Sequence, residues 1–477
     1  MSADRSKALS SAQSAQSAQS VPSTGSVNAP LPAGSPSVPS AATAAGMPSA
    51  SRVLSMLATL FFAMGLITSL NDILVPHFKA AFDLTYRDAA LIQSSFFAAY
   101  FVVSYPAGQY TARVGYRRAL ASSLWLAGFG CALFFPAAAL VSYACFLAAL
   151  FVLASGITLL QVAVNAYVET LGSRGAAASR LTLVQAFNSL GTTVGPPLAA
   201  LWILSPQAGP VAGHAVDTVR GPYGLLAAAL VLGGIVLWRL RLPEPGRRET
   251  GAPEAPETPE APQAAVSAGA GVAGVASVAG ASDAGNVRGL LAHRPLRYGI
   301  VALFLYVGAE VSIGSFLIVY LTHANTGIAD HAHASRYLAL YWGGAMVGRF
   351  VGAWLLRSVS PGRMLSLCAI YNLLLILASL VLPATLAMWL LLACGLGNAI
   401  MFPTIFSLSV GGLGARVSEG GGLICMAIVG GAVLPYLQGA LADAAGVVLS
   451  FLVPAVAYAY IAAFGEWSAS QPGLPKV

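Results

Sequence analysis

The stretch GQYTARVGYRR, residues 108–118, decides how the rest of the chain is read. Gly108 is followed five positions later by Arg113, and then by Gly115, Arg117 and Arg118. This basic connection lies between two long apolar runs, 89–110 and 118–140. An altered copy, GAWLLRSVSPGR (352–363), lies between the apolar runs 335–356 and 361–382, with Gly352 five residues before Arg357 and Arg363 behind it. The same kind of connection in matching places predicts a chain of two related halves.

Working outward, a helix that crosses a bilayer needs roughly 20 mainly apolar residues. That ruler gives six spans near 54–75, 89–110, 118–140, 143–168, 180–204 and 222–240, then six more near 297–321, 335–356, 361–382, 386–410, 418–440 and 447–467. The expected fold is an all-α integral membrane protein of twelve transmembrane helices in two pseudo-symmetric six-helix bundles, 51–240 and 297–467. Residues 1–50 are rich in Ala, Ser and Pro, include SAQSAQSAQS, and are expected to be disordered. Residues 241–296 open with a charged, Pro-rich stretch containing GRRETGAPEAPETPEAP, continue as Ala/Gly/Val/Ser repeats, and read as a low-complexity linker. Residues 468–477 form a short tail.

Composition agrees with that class. Of 477 residues, 57% are hydrophobic and 9% charged, against about 25% charged in a soluble domain. So few charges cannot cover a water-facing globule of this size. The net charge is +7, but the basic residues collect in alternate short connections, which reports membrane orientation and not nucleic acid. With the amino terminus cytoplasmic, Arg113, Arg117, Arg118, Arg174, Arg239, Arg294, Arg357, Arg363 and Arg416 all fall inside. The outer connections hold only Lys79, Arg87, Arg220 and Arg336. Both termini and the linker are therefore expected in the cytoplasm. The five cysteines all lie in apolar runs without a CxxC pair, so neither a disulfide framework nor a zinc site is expected. His331 and His333 stand alone as HAH in an outer connection and do not make a metal site. No GxSxG elbow, Walker loop or HExxH motif is present, and nothing suggests an enzyme.

Two six-span halves joined by a cytoplasmic linker resemble the major facilitator superfamily, and residues 108–118 resemble its signature loop, with Ala112 where the family usually has Asp. Longer strings resemble its fucose–galactose–glucose:proton symporter family: SLNDILVPHFKAAFDL (69–84), QSSFFAAYFVVSYPAG (93–108), QVAVNAYVETLG (161–172), QAFNSLGTTVGP (185–196), YVGAEVSIGSFLIVYL (306–321), FPTIFSLSV (402–410) and GGLICMAIVGGAVLPYLQGALADA (421–444). The likeness covers about residues 54–465. Gln161 and Glu310 place it nearer bacterial glucose/galactose transporters than fucose permease, which has Glu and Gln at those positions. The resemblance implies the major facilitator fold and import of a hexose with protons by alternating access.

The polar residues inside the apolar runs are the candidate site, because ionisable groups there are costly and by default functional. Asp72 closes the first span after Asn71, and Glu310 sits mid-way along the seventh. Both are candidate proton carriers, Asp72 being preferred because its string matches the family's without departure. Gln161 and Asn165 are four apart, Gln185 and Asn188 three apart, so each pair shares a helix face. Amides donate and accept, which suits sugar hydroxyls; these four, with Asn71, Glu310 and Asn398, are candidate sugar ligands. Interhelical glue is the competing role for each amide. Tyr306, Tyr341 and Trp342 are candidates to stack on a pyranose face. Arg349, in GRF within the eighth span, reads as structural. Gly108, Arg113, Gly115, Arg117 and Arg357 are expected to gate the cytoplasmic mouth. GTTVGP (191–196) resembles an exporter motif and equally fits close helix packing.

The expected role is therefore a secondary sugar transporter of a bacterial inner membrane. No cofactor is expected, and the partners are a small sugar and the lipid bilayer, with no nucleic acid and a monomeric state. Proton is the expected coupling ion, although oxygen ligands alone leave sodium open. An efflux antiporter and a non-transporting sugar receptor are the rival readings; no signalling domain supports the receptor.

Overall fold

The structure is a computed structural model that describes residues 49–81, 86–140, 142–203, 220–244, 287–323 and 331–471. The amino-terminal segment through residue 48, residues 245–286 of the linker, and the last six residues lie outside the described residues.

Among the described residues there are no strands, and twelve long helical segments follow one another. They are α1 (Ala50–Ala81), α2 (Tyr86–Val114), α3 (Tyr116–Ala139), α4 (Tyr143–Thr170), α5 (Ala177–Ile203) and α6 (Arg220–Arg239). Then come α7 (Arg294–His323), α8 (His331–Leu355), α9 (Pro361–Ser379), α10 (Ala384–Val410), α11 (Gly414–Ala445) and α12 (Val447–Ser470). Counted over the described residues alone, nine are long and apolar enough to cross a membrane by length and composition. Of the other three, α2 and α8 pack against helices of the opposite group, as does α5, and so they form much of the contact between the halves. The linker interval is structured at its far end, where Val287–Leu291 is a short helix and α7 begins at Arg294.

Helix starts follow local chemistry. Pro361 opens α9, where its missing N–H is no loss. Gly115 divides α2 from α3 with φ +88°, a left-handed conformation that glycine reaches without strain. The Glu244 carboxylate, arriving from beyond α6, lies against Gly115, and its Oε1 accepts the Arg117 N–H at 3.2 Å. A negative group at a helix N-terminus is stabilising. Beside it the Tyr167 hydroxyl donates to Pro243 O at 2.6 Å. The start of the linker is thus pinned to the 108–118 loop.

In a bilayer the apolar effect does not separate helix from lipid, so close approach through small residues carries the packing. Gly65, Gly191 and Gly195 sit at the α1–α5 contact, where an added Cβ would strike Asn188 O, Phe62 O and Ser69 Oγ. This assigns both glycines of GTTVGP to helix packing. Gly130 and Gly156 do the same between α3 and α4, and Gly362 and Gly465 between α9 and α12. Contacts concentrate within α1–α6 and within α7–α12, with two main seams between the groups, α2 on α11 and α5 on α8.

α10 is broken at Ala399–Ile400. Pro403 explains the break: it has no N–H to give residue 399, and its ring clashes with that carbonyl. Backbone groups freed inside a membrane protein need other partners. Here Tyr306 donates to Asn398 O at 3.1 Å and Arg349 Nε to Ala399 O at 3.3 Å.

Candidate functional site

A cavity of about 480 Å³ lies between the two helix groups, a size in the range of small-molecule sites. From α2 it is lined by Gln93, Phe96, Phe97 and Tyr100, and from α4 by Gln161. From α7 come Glu310 and Gly314, from α8 Leu338 and Trp342, from α10 Phe402, and from α1 Thr68. The wall is apolar and aromatic with a few polar groups, the composition usual for small-molecule sites.

Tyr100 donates to Gln161 Oε1 at 2.7 Å. With one lone pair of its carbonyl engaged, Gln161 keeps the two N–H donors of Nε2 and a second acceptor site on Oε1. Glu310 is nearly buried, with 12% side-chain exposure, and its Oε1 accepts no hydrogen bond among the described residues. Arg349 Nη2 stands 3.7 Å from that oxygen, an ion pair too long to be a hydrogen bond. Trp342 is half-exposed, lies edge-on to Tyr341 at 5.1 Å, and covers Gly314, where a Cβ would meet its ring at 3.1 Å.

The other expected ligands divide into separate groups. Asn398 is wholly buried behind the wall. Its Oδ1 accepts from Asn372 at 2.8 Å and from Tyr458 at 2.6 Å, and its Nδ2 donates to Tyr341 at 2.7 Å. Tyr341 in turn donates to Glu310 O at 3.1 Å. This chain positions the backbone that carries Glu310. Asn188 donates to Phe61 O at 3.1 Å in the α1–α5 contact. Asn165 and Gln185 are buried and do not line the cavity; both Asn165 amide atoms and Gln185 Nε2 have no hydrogen-bond partner among the described residues. Asn71 and Asp72 stand on α1, but their side chains lie outside the described residues.

The groups meet on the side of the basic connections. Gly108 on α2 lies against Ser418 O and 3.0 Å from Gly422 Cα on α11 for an added Cβ. Ser418 donates to the Tyr116 hydroxyl at 3.2 Å, Ser179 to Ala353 O at 2.6 Å, and Ser407 to Glu169 Oε1 at 3.0 Å. Arg349 Nη1 donates to Ser189 Oγ, and Phe187 meets Phe350 edge-on at 5.9 Å. On α2 the cavity residues 93–100 precede the seam residue 108. On α11 the seam residues 418–422 precede the wall residue Ile428. The cavity therefore lies toward the other side, and the basic side is sealed beneath it. Arg113 and Arg357 are exposed at that sealed end, and Gly115 and Arg117 hold the Glu244 contact.

Sequence reasoning named Gln161, Glu310 and Trp342 among the wall residues and missed the α2 face. Its signal was available: Gln93, Phe96, Phe97 and Tyr100 recur at spacings of three, four and seven, one side of a helix.

Comparison with known proteins places this architecture. The model of the Major Facilitator Superfamily matches residues 57–424. The glucose/galactose transporter of Brucella abortus is 46% identical over 412 residues, covering 86% of this chain and 93% of that protein. The L-fucose-proton symporter of Escherichia coli is 31% identical over 430 residues, covering 87% and 92%. The crystal structure of FucP in the outward conformation matches with TM-score 0.75 and 30% identity, covering 89% of this chain and all of that one. The chain belongs to the Major Facilitator Superfamily, in the group that contains the glucose/galactose transporters and the L-fucose-proton symporter.

Proposed function

We propose that this protein imports a hexose, glucose or galactose or a close relative, together with protons. It sits as a monomer in a bacterial inner membrane with both termini cytoplasmic. The observation that carries the reading is the cavity itself: a donor amide at Gln161, a stacking face at Trp342, and a carboxylate at Glu310 share one wall. The glucose/galactose relatives support the sugar class, and the proton-coupled relative supports the ion. The basic-side seal corresponds to an outward-facing state, so external sugar enters first. Rocking of the halves about the cavity then exposes it inward.

We assign the coupling proton to Glu310. Its carboxylate faces the cavity, has a nearby cation, and has an oxygen with no hydrogen bond among the described residues. Protonation neutralises that charge and so changes the relative free energy of the two access states, which is what a ligand must do to shift a population.

The test is uptake into proteoliposomes with a panel of labelled hexoses. An imposed inward proton gradient is expected to drive accumulation of one or two of them, a protonophore to abolish it, and replacement of sodium to leave it unchanged. Sodium-dependent accumulation that ignores the proton gradient would move the protein to a sodium-coupled class.

Binding gives a second expectation. Gln161→Ala removes a hydrogen bond to a neutral hydroxyl and leaves the Tyr100 hydroxyl unpaired. Such losses cost about 0.5–1.5 kcal/mol or more, so sugar affinity is expected to fall about tenfold. Equilibrium titration with the sugar measures it, and unchanged affinity would place Gln161 with the packing amides. Asn188→Ala is expected to lower thermal stability more than affinity, because its amide bridges α1 and α5.

A further inference from the structure

Arg349 stands out because one guanidinium joins four helices. It projects from α8, its Nε donates to Ala399 O on α10, its Nη1 donates to Ser189 Oγ on α5, and its Nη2 faces Glu310 Oε1 on α7 at 3.7 Å. The α10 acceptor is a built feature, since Pro403 removes the intrahelical partner of that carbonyl. The α5 acceptor belongs to the opposite half. Arg349 therefore bridges the α5–α8 seam while its nearby anion is a residue of the cavity wall. The titratable and charged groups that face Glu310 among the described residues are Arg349 from α8, Tyr306 on its own helix, Tyr341 from α8 and Tyr458 from α12. From α10 the neighbouring network contributes the neutral Asn398. In that set Arg349 is the cation.

We propose that Arg349 is a charge-keyed clasp: the ionised Glu310 holds it across the α5–α8 seam, and neutralising Glu310 releases the seam and lets the basic side open. The inference rests on the reading of this chain as a proton-driven sugar transporter and adds the element through which the proton acts. A buried cation that keeps its counter-charge is tolerated; one that loses it is strongly destabilised. With Glu310 ionised, the sealed arrangement satisfies Arg349 with two hydrogen bonds and one opposite charge. With Glu310 neutral, the same arrangement strands the guanidinium among neutral acceptors. Opening the basic side admits water to it, so protonation favours the opened state. The planar fork of arginine suits this task because separate N–H groups reach separate helices at once.

Arg349 is thus a positioning residue, and its test needs a readout that simple helix glue would not move. Spin labels at Ala112→Cys and Ser358→Cys sit on exposed basic-side positions of the two halves. Their distance distribution reports sealing as a function of pH in purified protein. In the parent, lowering the pH is expected to shift the sealed-to-open ratio about tenfold toward the long distance. Glu310→Gln is expected to show the long distance at every pH. Arg349→Gln is expected to flatten the pH response, and the Glu310→Gln/Arg349→Gln pair to be more sealed than Glu310→Gln alone, since no stranded charge remains. Ser189→Ala tests the same bridge with a milder change: it should favour the long distance while keeping a pH response. A pH response in Arg349→Gln equal to the parent's, or a double variant that opens further than Glu310→Gln, would overturn the clasp. So would a Ser189→Ala variant as sealed as the parent, a result that stands even where Arg349→Gln does not fold. Proteoliposome uptake by the parent separates the two failures: proton-driven uptake with no pH-dependent distance change defeats the clasp alone, whereas proton-independent uptake defeats the functional reading beneath it.

Discussion

Gly108→Val is expected to abolish net sugar uptake while leaving the protein folded. At this position α2 meets α11 backbone to backbone: an added Cβ would strike Ser418 O and stand 3.0 Å from Gly422 Cα. Neither neighbour is the end of a flexible side chain, so the helices must separate. Overpacking of this kind costs ~1–3 kcal/mol or more. The cost falls on the sealed state, because that contact joins the two halves. A penalty at the upper end shifts the balance of access states by about a hundredfold. The variant is expected to rest open on the basic side. A cysteine reagent applied to inside-out vesicles should then label Ser418→Cys rapidly in the Gly108→Val background and slowly in the parent. Normal uptake by Gly108→Val would mean that this seam is not part of the transport cycle.

Glu310→Gln is expected to lose uphill, pH-driven accumulation and to keep sugar exchange across the membrane. The amide mimics the protonated carboxyl permanently, and exchange requires no proton release. Affinity is expected to fall as well, because a charge-assisted acceptor becomes a neutral one. Asp72→Asn is the paired measurement. With the proton on Glu310, Asp72→Asn should still accumulate sugar against its gradient. If the phenotypes swap, the proton belongs to Asp72, the carboxylate that the sequence favoured, and the charge on Glu310 serves the seam and the sugar alone. Measuring accumulation and counterflow on the same proteoliposomes decides between them.

The class of this protein was legible without coordinates, because a bilayer imposes a one-dimensional rule. A spanning helix must satisfy its own backbone and present an apolar exterior, so length and hydropathy suffice to count spans. Pair spacing on one helix was legible for the same reason: Gln161 with Asn165, and Gln185 with Asn188, share faces by periodicity alone. Which face points where was not legible. Gln161 lines the cavity while Asn165, one turn away, does not, and Asn188 bonds Phe61 O on α1. Amide chemistry is identical in a sugar site and in helix glue, so only the neighbours decide the role. The same holds for Arg349. Its sequence context, GRF, says only that a cation lies inside a span; that Ser189, Ala399 and Glu310 converge on it depends on a seam between distant parts of the chain and on a carbonyl freed by Pro403. Sequence determined the elements and the candidate chemistry, because these follow from local periodicity and residue type. Tertiary structure decided partnership, because hydrogen bonds and counter-charges between helices are set by which faces meet, and no local pattern encodes that meeting.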